Sequence, residues 1–506
     1  MVRPTVDEVR EMTRQGNLIP IWSEVPADLE TPASVHLKLR SGGWSFLLES
    51  VERGEQVGRY SFLGIDPIGA LISRDGAITV EGSLRDDLDA ATLPSGDPLA
   101  AVEAILGRYR AVPNAELPEF YGGMVGFLGY DAIRFFERAP LPEGLGLGLP
   151  DAVFVLADTL AIFDHVKRRL LVVANVHVDD ADSVEAAYAN GVERIDEVLR
   201  ALERPLALSE PEGEEAGPVE NGWTSNVEQA AYEEAVRVAK THIRAGDIFQ
   251  VVPSQRLSRR TDVDPFAVYR SLRMLNPSPY MFFLDLPGDL QIIGSSPETL
   301  VRLQGRTAEV RPIAGTRRRG ADPEEDRALA EELLADPKER AEHVMLVDLG
   351  RNDLGRVCEY GTVEVPELMQ IEQYSHVMHI VSSVRGELRA DKTPFDLLRA
   401  TFPAGTVSGA PKVRAMEIIA ELEGERRGPY AGAVGYFGYS GAMDTCIAIR
   451  TLVMHGGEIH VQAGGGVVAD SDPTLEYQES LNKARALAEA VERTERAGLV
   501  TQGGVR

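Results

Sequence analysis

Residues 430–439 read YAGAVGYFGY, and residues 121–130 read YGGMVGFLGY. Both run Tyr, small, Gly, any residue, Val, Gly, aromatic, apolar, Gly, Tyr, and glycine-rich apolar runs of this length are typical of strands. An Asp-Thr pair leading into a further apolar stretch follows each copy, at Asp158 and Asp444. Two strands can resemble each other by chance, but this agreement favours an internal pseudo-duplication, in which one copy carries chemistry and the other has a different task.

Other short apolar runs, rich in β-branched and aromatic residues, also predict strands. They lie at residues 44–49, 61–64, 153–163, 170–178, 248–252, 280–286 and 291–294. These runs do not alternate regularly with helical segments, as they would in a doubly wound parallel sheet. The sequence therefore predicts a mixed α+β fold with largely antiparallel sheets.

Capping residues mark three helix starts. The pairs Asp336-Pro337 and Asp472-Pro473 each place an acidic N-cap before a proline suited to the first helical position. Ser225, three residues before Glu228, is typical of a capping box, and an apolar face follows as far as Gly246. We expect a helix from each start.

The clearest break in composition is ERPLALSEPEGEEAGPVENG, residues 203–222. A stretch so rich in Pro, Gly and Glu has too few apolar residues to pack and predicts a solvated linker. We therefore divide the chain into an N-terminal domain, residues 1–202, an acidic linker, residues 203–224, and a C-terminal domain, residues 225–506.

Composition excludes several classes of protein. The 506 residues include 52 Lys plus Arg and 79 Asp plus Glu, a net charge of −27 that disfavours binding to nucleic acid. Two cysteines, Cys358 and Cys446, allow neither a disulfide framework nor a four-cysteine zinc site. A charged start and the lack of any apolar run of about 18 residues indicate no signal peptide and no membrane span, so we expect a cytoplasmic protein.

Paired carboxylates follow both Asp-Pro helix starts. Glu339 and Glu342 lie three residues apart on the first helix, and Glu476 and Glu479 lie three apart on the second. Each pair therefore shares a helical face, which usually means a solvated surface. If the helices face each other, four carboxylates converge and require a cation, for which Mg²⁺ is suited because it prefers oxygen ligands.

Three further features are candidates for anion binding or proton transfer. Residues 464–466 are all Gly and either expose backbone N–H groups to an anion or form a tight turn. Arg450 either holds a carboxylate or lies at a surface edge. His379 is either a packed strand residue or an acid–base group. Residues 404–412 are rich in Gly and Ser but lack the phosphate-loop pattern, which excludes a nucleoside triphosphatase.

Five motifs together resemble those of the chorismate-utilising enzymes. They are PIAGTR at 312–317, ERAEH at 339–343, DLGRND at 348–353, DTCIAIR at 444–450 and GGG at 464–466. The resemblance extends over about residues 18–490. It implies a fold in which large antiparallel sheets form a sandwich flanked by helices, with residues 225–506 as the chorismate-binding catalytic domain.

The resemblance also implies roles for individual residues around chorismate, a dianion. The residues implied in catalysis are Glu298, which protonates the leaving C4 hydroxyl, His379 and Thr406, which flank the ring, Glu339 and Glu476, which orient water and ligands, and Lys483. The residues implied in substrate binding are Gly315, Thr316, Tyr430, Arg450, Gly464, Gly465 and Gly466. Glu342 and Glu479 are implied as the ligands of Mg²⁺.

Two positions distinguish branches of this family. Members that add water at C2 carry a Lys base where this chain has Gln250, and members that aminate C4 carry a nucleophilic Lys where it has Ala314. Neither Gln nor Ala can replace a deprotonated lysine. The resemblance thus implies a Mg²⁺-dependent lyase of tryptophan biosynthesis, in which ammonia attacks C2 and anthranilate and pyruvate form. The alternative is amination at C4, to 4-amino-4-deoxychorismate.

The resemblance further implies partners and regulation. Because the chain has no amidotransferase nucleophile, a glutamine amidotransferase subunit is expected to supply ammonia within a hetero-oligomer, expected to be a heterotetramer. Residues 1–202 are expected to be regulatory and to bind tryptophan as a feedback inhibitor. The residues implied in that site are Leu48, Glu49, Ser50, Pro279, Tyr280, Met281, Val434, Gly435 and Tyr436. Ordinary strand packing is the alternative explanation for them.

In that feedback site, Glu49 and Ser50 would contact the ammonium group of the inhibitor, and residues 279–281 would form an apolar wall for its indole. Gly435 is close in sequence to Tyr430, so one strand can connect the inhibitor and substrate sites. A second class of function, a catalytically silent subunit that senses an amino acid, is disfavoured because Glu342, Glu479 and Arg450 are all present.

Overall fold

The computed structural model describes residues 1–50, 58–88, 90–178, 183–206, 222–374 and 377–499. Most of the predicted linker, residues 207–221, lies outside these ranges. The helices are α1 Val6–Met12, α2 Pro32–Leu39, α3 Leu84–Asp87, α4 Pro98–Leu106, α5 Val184–Leu202, α6 Gln229–Ala245, α7 Pro265–Leu275, α8 Pro323–Ala335, α9 Pro337–Gly355, α10 Pro394–Thr401, α11 Lys412–Glu423 and α12 Pro473–Arg496, with 3₁₀ turns at Ala90–Thr92, Tyr130–Phe135 and Gly405–Val407.

The strands are short and follow one another closely along the chain. They are β1 Leu18–Pro26, β2 Ser45–Glu49, β3 Tyr60–Ile65, β4 Gly69–Arg74, β5 Ala77–Gly82, β6 Gly123–Leu128, β7 Ala152–Ala157, β8 Thr159–Asp164, β9 Arg169–His177, β10 Thr224–Ser225, β11 Gln250–Val251, β12 Ser254–Arg260, β13 Tyr280–Leu286, β14 Leu290–Ser296, β15 Thr299–Gln304, β16 Thr307–Val310, β17 Ile313–Arg318, β18 Glu364–Gln373, β19 Val377–Glu387, β20 Gly409–Ala410, β21 Ala433–Gly438, β22 Met443–Ile447, β23 Thr451–His455 and β24 Glu458–Gly464.

Two large antiparallel sheets organise these strands. Sheet A has the order β1-β9-β8-β3-β2-β13-β14-β23-β24-β12-β10, and sheet B has the order β17-β19-β16-β15-β22-β21-β6-β7-β4-β5, with β18 paired to β19. The N-terminal half joins the C-terminal half at β2–β13 in sheet A and at β6–β21 in sheet B. Both halves of the chain therefore contribute to both sheets, and the division into domains stays a prediction.

The two similar stretches, β6 and β21, are direct neighbours in sheet B, with Gly126 opposite Gly435. A Cβ on Gly126 would lie 1.9 Å from the carbonyl oxygen of Val153, and a Cβ on Gly435 would lie 2.0 Å from that of Asp444. Each copy thus needs its glycine because the neighbouring backbone fills the space of a side chain. The two copies therefore lie in similar surroundings within one sheet.

The single strand predicted at residues 153–163 is wrong, and the Asp-Thr pairs that follow the two copies lie in different surroundings. Asp444 lies within β22 of sheet B, whereas Asp158 lies between β7 and β8, where the chain passes from sheet B to sheet A. The predicted single strand at 153–163 is for the same reason two strands in different sheets. Buried Asp158, bonded to His177 and near Arg194, occupies the crossing point.

The hydrophobic core confirms a sandwich flanked by helices. Phe46 and Phe282 of sheet A pack with Val125, Phe127 and Val153 of sheet B in one buried cluster between the sheets. The outer face of sheet A is covered by apolar residues of α5, α7 and α12. The outer face of sheet B is covered by residues of α9, α10 and α11.

The helix starts predicted at Asp336-Pro337 and Asp472-Pro473 are confirmed, whereas the capping box predicted at Ser225 is wrong. Asp336 and Asp472 are the N-caps of α9 and α12, and each side chain accepts two backbone N–H bonds. Ser225 instead ends β10, where its hydroxyl donates to Gln255 at 2.9 Å, and Glu228 becomes the N-cap of α6. Within the ranges that are described, no helix combines the length and apolar character needed to cross a membrane.

Candidate active site

Glu298 is a buried carboxylic acid between β14 and β15, only 8% exposed. The Thr406 hydroxyl, in the last 3₁₀ turn, donates to its Oε1 at 2.9 Å. Burial raises the pKa of Glu298 to about 8, although the Thr406 hydrogen bond lowers it in part. Glu298 is therefore protonated at neutral pH and can act as a general acid.

Glu298 and Thr406 line a cavity of about 50 Å³, here named the acid cavity. Leu346 and Leu349 of α9 form part of its apolar wall, and Arg311 lies at its edge. Burial of the Glu298 side chain favours the neutral form of its carboxyl group, because little water remains to solvate the charge.

His379 on β19 faces Gly315 and Thr316 of β17. Its Nδ1 lies 2.9 Å from the Gly315 carbonyl oxygen and 3.1 Å from the Thr316 hydroxyl. Because a carbonyl oxygen only accepts, Nδ1 carries the proton and Nε2 keeps its lone pair. Burial lowers the pKa of His379, and the charge of Arg450 lowers it further, so the ring is a neutral base.

Gly315 interrupts the β17–β19 register and has a φ of 65°, which favours glycine. A Cβ there would lie 2.9 Å from a Leu333 methyl group and 3.1 Å from Glu339 Oε2. The bulge turns the Gly315 carbonyl towards His379 and brings the start of α9 close to β17.

The two carboxylates of α9 have different partners. Glu342 Oε1 accepts a hydrogen bond of 3.0 Å from Gln250 Nε2, at the start of β11. Glu339 Oε1 accepts from Arg317 at 3.2 Å, and the same arginine also pairs with Asp336. Glu342 thus faces the start of β11, whereas Glu339 is held by a cation on β17.

The glycine run after β24 brings α12 to the same place. A Cβ on Gly465 would lie 2.6 Å from Glu476 Oε2 and 3.8 Å from Glu479 Oε1. A Cβ on Gly466 would lie 2.4 Å from Gln250 Nε2. The two acid-bearing helices therefore converge on Gln250 and the glycines. Lys483 fixes this end of α12 by donating to the Gly464 carbonyl at 2.9 Å and pairing with Glu479 at 2.8 Å.

The convergent carboxylates fit a divalent cation. Glu476 Oε2 is buried and has no hydrogen-bond partner among the described residues, and burial raises its pKa, as does the neighbouring Glu479 charge. In the described part of the chain no three His, Cys, Asp or Glu side chains form a preformed metal cluster. Mg²⁺ commonly uses only one or two carboxylates together with water and substrate oxygens, so two carboxylates such as those of Glu342 and Glu479 would be enough to hold it.

Arg450 supplies positive charge near both His379 and Glu479. It lies between β22 and β23 with a φ of 50°, and among the described residues its guanidinium has no carboxylate within ion-pair distance. Burial lowers the pKa of Arg450, and the negative charge of Glu479 opposes this shift. Tyr430 is 8% exposed, and burial raises its pKa to about 12, so it stays a hydroxyl donor. A half-buried guanidinium without a carboxylate partner is suited to bind a carboxylate.

A second cavity, of about 340 Å³, lies between the two sheets near β2, β13 and β21. All nine residues implied in the inhibitor site line it: Leu48, Glu49, Ser50, Pro279, Tyr280, Met281, Val434, Gly435 and Tyr436. Glu49 is bound by Arg273 at 3.1 and 3.2 Å and by the Tyr269 hydroxyl. The Tyr280 hydroxyl donates to Asp444 at 2.9 Å and lies 3.0 Å from the Thr299 hydroxyl.

Sequence reasoning missed two residues that organise the site. Gln250 attracted notice only because it is not lysine, yet it bonds Glu342. Arg427, three residues before Tyr430, is buried against Glu423 and lies over the Tyr430 ring at 5.4 Å. The sequence signal that could have identified Arg427 was its position, as a charged residue between an apolar helix and a glycine-rich strand.

A family model described as chorismate binding enzyme matches residues 46–489. Those residues include both acid-bearing helices, the glycine run and the Glu298 and His379 positions described above. The chain therefore belongs to the chorismate binding enzyme family.

Several relatives and solved structures show which members of this family the chain is similar to. Anthranilate synthase component 1 of Acetivibrio thermocellus is 47% identical, over 97% of this chain and 99% of that protein. The protein of the same name from Synechocystis is 51% identical over the same shares. Anthranilate synthase component I from Streptococcus pneumoniae has a TM-score of 0.74 and 40% identity, over 86% of this chain and 93% of that one. A menaquinone-specific isochorismate synthase from Escherichia coli, 18% identical, shares the fold with a TM-score of 0.70.

Proposed function

We propose that this chain converts chorismate and ammonia to anthranilate and pyruvate, as the names of its relatives suggest. The observations that support the proposal are a protonated buried acid, Glu298, bonded to Thr406, and a neutral imidazole base, His379, bonded to the Gly315 carbonyl. Groups whose environments push their protonation states apart are suited to successive proton transfers.

Ammonia is the nucleophile because the site offers no basic group at the expected point of attack. Gln250 donates through Nε2 to the Glu342 carboxylate, which leaves Oε1 as the free amide atom. That Oε1 is buried without a partner among the described residues. It is suited to accept an N–H of ammonia and to direct the nitrogen lone pair at C2.

In the first step the ammonia nitrogen bonds to C2, both ring double bonds shift by one position, and the C4–O bond breaks. Glu298 gives its proton to the departing hydroxyl, which leaves as water. The product is an aminated, non-aromatic ring that still carries the enolpyruvyl group. In the second step His379 Nε2 takes the C2 proton, the C3–O bond breaks, and the ring becomes aromatic. The side chain leaves as enolpyruvate, which takes up one proton at its methylene carbon to become pyruvate.

Binding of the dianion is assigned to cations and backbone amides. Arg450 and Tyr430 are placed for the enolpyruvyl carboxylate, and Gly464, Gly465 and Gly466 offer N–H groups to a carboxylate. Thr316 holds His379, and Lys483 holds Glu479 and Gly464 in place. Glu342 and Glu479 would bind Mg²⁺, with Glu339 and Glu476 beside them, and the ion would polarise the ring carboxylate.

The ammonia would come from a glutamine amidotransferase subunit. Both cysteines are buried and burial raises their pKa, to about 11 for Cys358, so neither is suited to attack glutamine. We propose a hetero-oligomer, a heterotetramer, in which the partner releases ammonia close to Gln250.

We further propose that tryptophan is the feedback inhibitor and that it binds in the second cavity. The volume of about 340 Å³ suits an amino acid of this size, with apolar residues 279–281 on one side. The Glu49 carboxylate is already held by Arg273, so Glu49 would present a fixed oxygen, alongside Ser50, to the ammonium group.

The test is incubation of the chain with chorismate, ammonium and Mg²⁺, with the products identified by fluorescence and mass. We expect anthranilate and pyruvate in equal amounts, and none when Glu298 is replaced by Gln. Formation of 4-amino-4-deoxychorismate would assign the chain to the alternative branch, and unchanged chorismate would end the proposal.

A further inference from the structure

The second cavity and the acid cavity share part of one wall. Arg311, just after β16, lines both of them, as does Thr299 at the start of β15. The side chain of Arg311 is 27% exposed. A single guanidinium thus borders the proposed inhibitor site on one side and the pocket of the catalytic acid on the other.

Arg311 is tied to the strand that faces His379. Its Nη2 donates to Glu372 Oε1, on β18, in a close ion pair. The other oxygen, Glu372 Oε2, accepts a hydrogen bond of 2.9 Å from the Tyr374 hydroxyl. Both oxygens of Glu372 are therefore held, so the position of this carboxylate depends on Arg311.

Glu372 lies directly opposite His379 in the β18–β19 register. Cross-strand partners project to the same face of a sheet, with their Cβ atoms about 5 Å apart. The Tyr374 ring also meets the His379 ring edge to face at 5.4 Å. The other groups that face His379 are Gly315 and Thr316 of β17 and Arg450 of the β22–β23 connection.

We infer that Arg311 is a positioning residue for the elimination step, which holds and neutralises Glu372 beside His379 while forming part of the wall of the second cavity. A ligand in that cavity that draws Arg311 away from Glu372 changes the charge around the base. This inference rests on the proposed function, because it assigns a role within that reaction.

Two substitutions are expected to shift the pKa of His379 in opposite directions. Arg311→Met leaves Glu372 unneutralised, which stabilises the imidazolium and raises the pKa of His379. Glu372→Gln removes the negative charge and leaves Arg311 unpaired, which lowers the pKa of His379. A purely structural role would not move the two variants in opposite directions.

The experiment isolates the second step by supplying the purified aminated intermediate and measuring pyruvate release from pH 5 to 8. We expect the acid limb of the rate to move up by about 0.5–1 pH unit in Arg311→Met and down by a similar amount in Glu372→Gln. Arg311→Lys, which keeps the charge, should restore the wild-type limb. Arg385→Met removes a cation that pairs with Glu309 on the same sheet and should leave the limb in place.

Occupancy of the cavity is tested in the same assay with tryptophan, whose binding is measured by calorimetry. Bound tryptophan should move the acid limb of the wild type to higher pH and leave the acid limb of Arg311→Met unchanged. The inference would be overturned if the acid limb stayed at the same pH in Arg311→Met and Glu372→Gln, or moved in the same direction in both. If Arg311→Met does not fold, Glu372→Gln decides. Failure of the proposed function is seen separately, because the wild type would then not consume the intermediate at any pH.

Discussion

Gln250 and Glu342 are joined by a hydrogen bond of 3.0 Å, although 92 residues separate them in the chain. The bond connects β11 to the acid-bearing face of α9, and Gly466 packs against the same amide. Gln250 is thus the point at which α9 and the glycine run before α12 are held together.

Gly466→Ala should abolish chorismate turnover without unfolding the chain. The new Cβ would lie 2.4 Å from Gln250 Nε2 and must displace the amide from Glu342. Steady-state kinetics with circular dichroism checks both parts. Gly355→Ala on α9, where a Cβ meets nothing within 4 Å, is the matched control and should keep wild-type activity. Equal activity in the two variants would contradict the assigned role of Gln250.

The pH profile of kcat/KM for chorismate should fall on the alkaline side near pH 8, because Glu298 must be protonated and burial raises its pKa to about 8. Thr406→Val removes a hydrogen bond that favours the carboxylate, so the limb should move to higher pH. Thr406→Ser should restore it. Rates must be compared at constant free ammonia, since ammonium also titrates. A limb that is unchanged or lower in Thr406→Val would contradict Glu298 as the acid.

Removal of either metal-facing carboxylate should weaken divalent-ion binding. We expect Glu342→Gln and Glu479→Gln to bind Mn²⁺ at least about tenfold more weakly by calorimetry, as a carboxylate ligand is lost. Glu339→Gln, whose carboxylate is held by Arg317, should have a smaller effect. Turnover that depends on Mg²⁺ should be lost in Glu479→Gln. Equal affinities in all three variants would exclude this site for the ion.

Arg427→Met should destabilise the fold by about 3–5 kcal/mol, because it removes the cation paired with the Glu423 carboxylate, which keeps only its hydrogen bonds from Ser254. The two side chains are 1% and 8% exposed. Urea unfolding gives the free energy. The neighbouring Arg426→Met, which breaks a pair with the exposed Asp75, is the control and should cost about 1 kcal/mol or less. Similar losses in the two variants would contradict the buried pair.

Local chemistry explains what could be predicted from the sequence. Asp336 and Asp472 were recognisable as N-caps because the cap and the following proline act within one helical turn. The same reasoning gave a wrong prediction for Ser225, because its hydroxyl donates to Gln255, thirty residues away, and does not cap the helix. The break between β7 and β8 at Asp158 could not be predicted, because the stretches on both sides of it are equally apolar.

The candidate site was predicted as a set of residues but not as a set of contacts. The spacing of Glu476 and Glu479 placed them on one face, and the structure adds that Gly465 packs against both. Which partner each carboxylate takes depends on strands far away in the chain, as Arg317 for Glu339 and Gln250 for Glu342 show. The raised pKa of Glu298 likewise comes from tertiary burial, which no local pattern encodes.

In the proposed reaction Glu298 and His379 serve two successive steps. The most direct measurement follows ammonium and chorismate by mass spectrometry in His379→Ala and Glu298→Gln. His379→Ala should accumulate an aminated, non-aromatic intermediate that still carries the enolpyruvyl group, whereas Glu298→Gln should leave chorismate unchanged. If His379→Ala also stopped at chorismate, or released anthranilate at the wild-type rate, the division of roles would be contradicted.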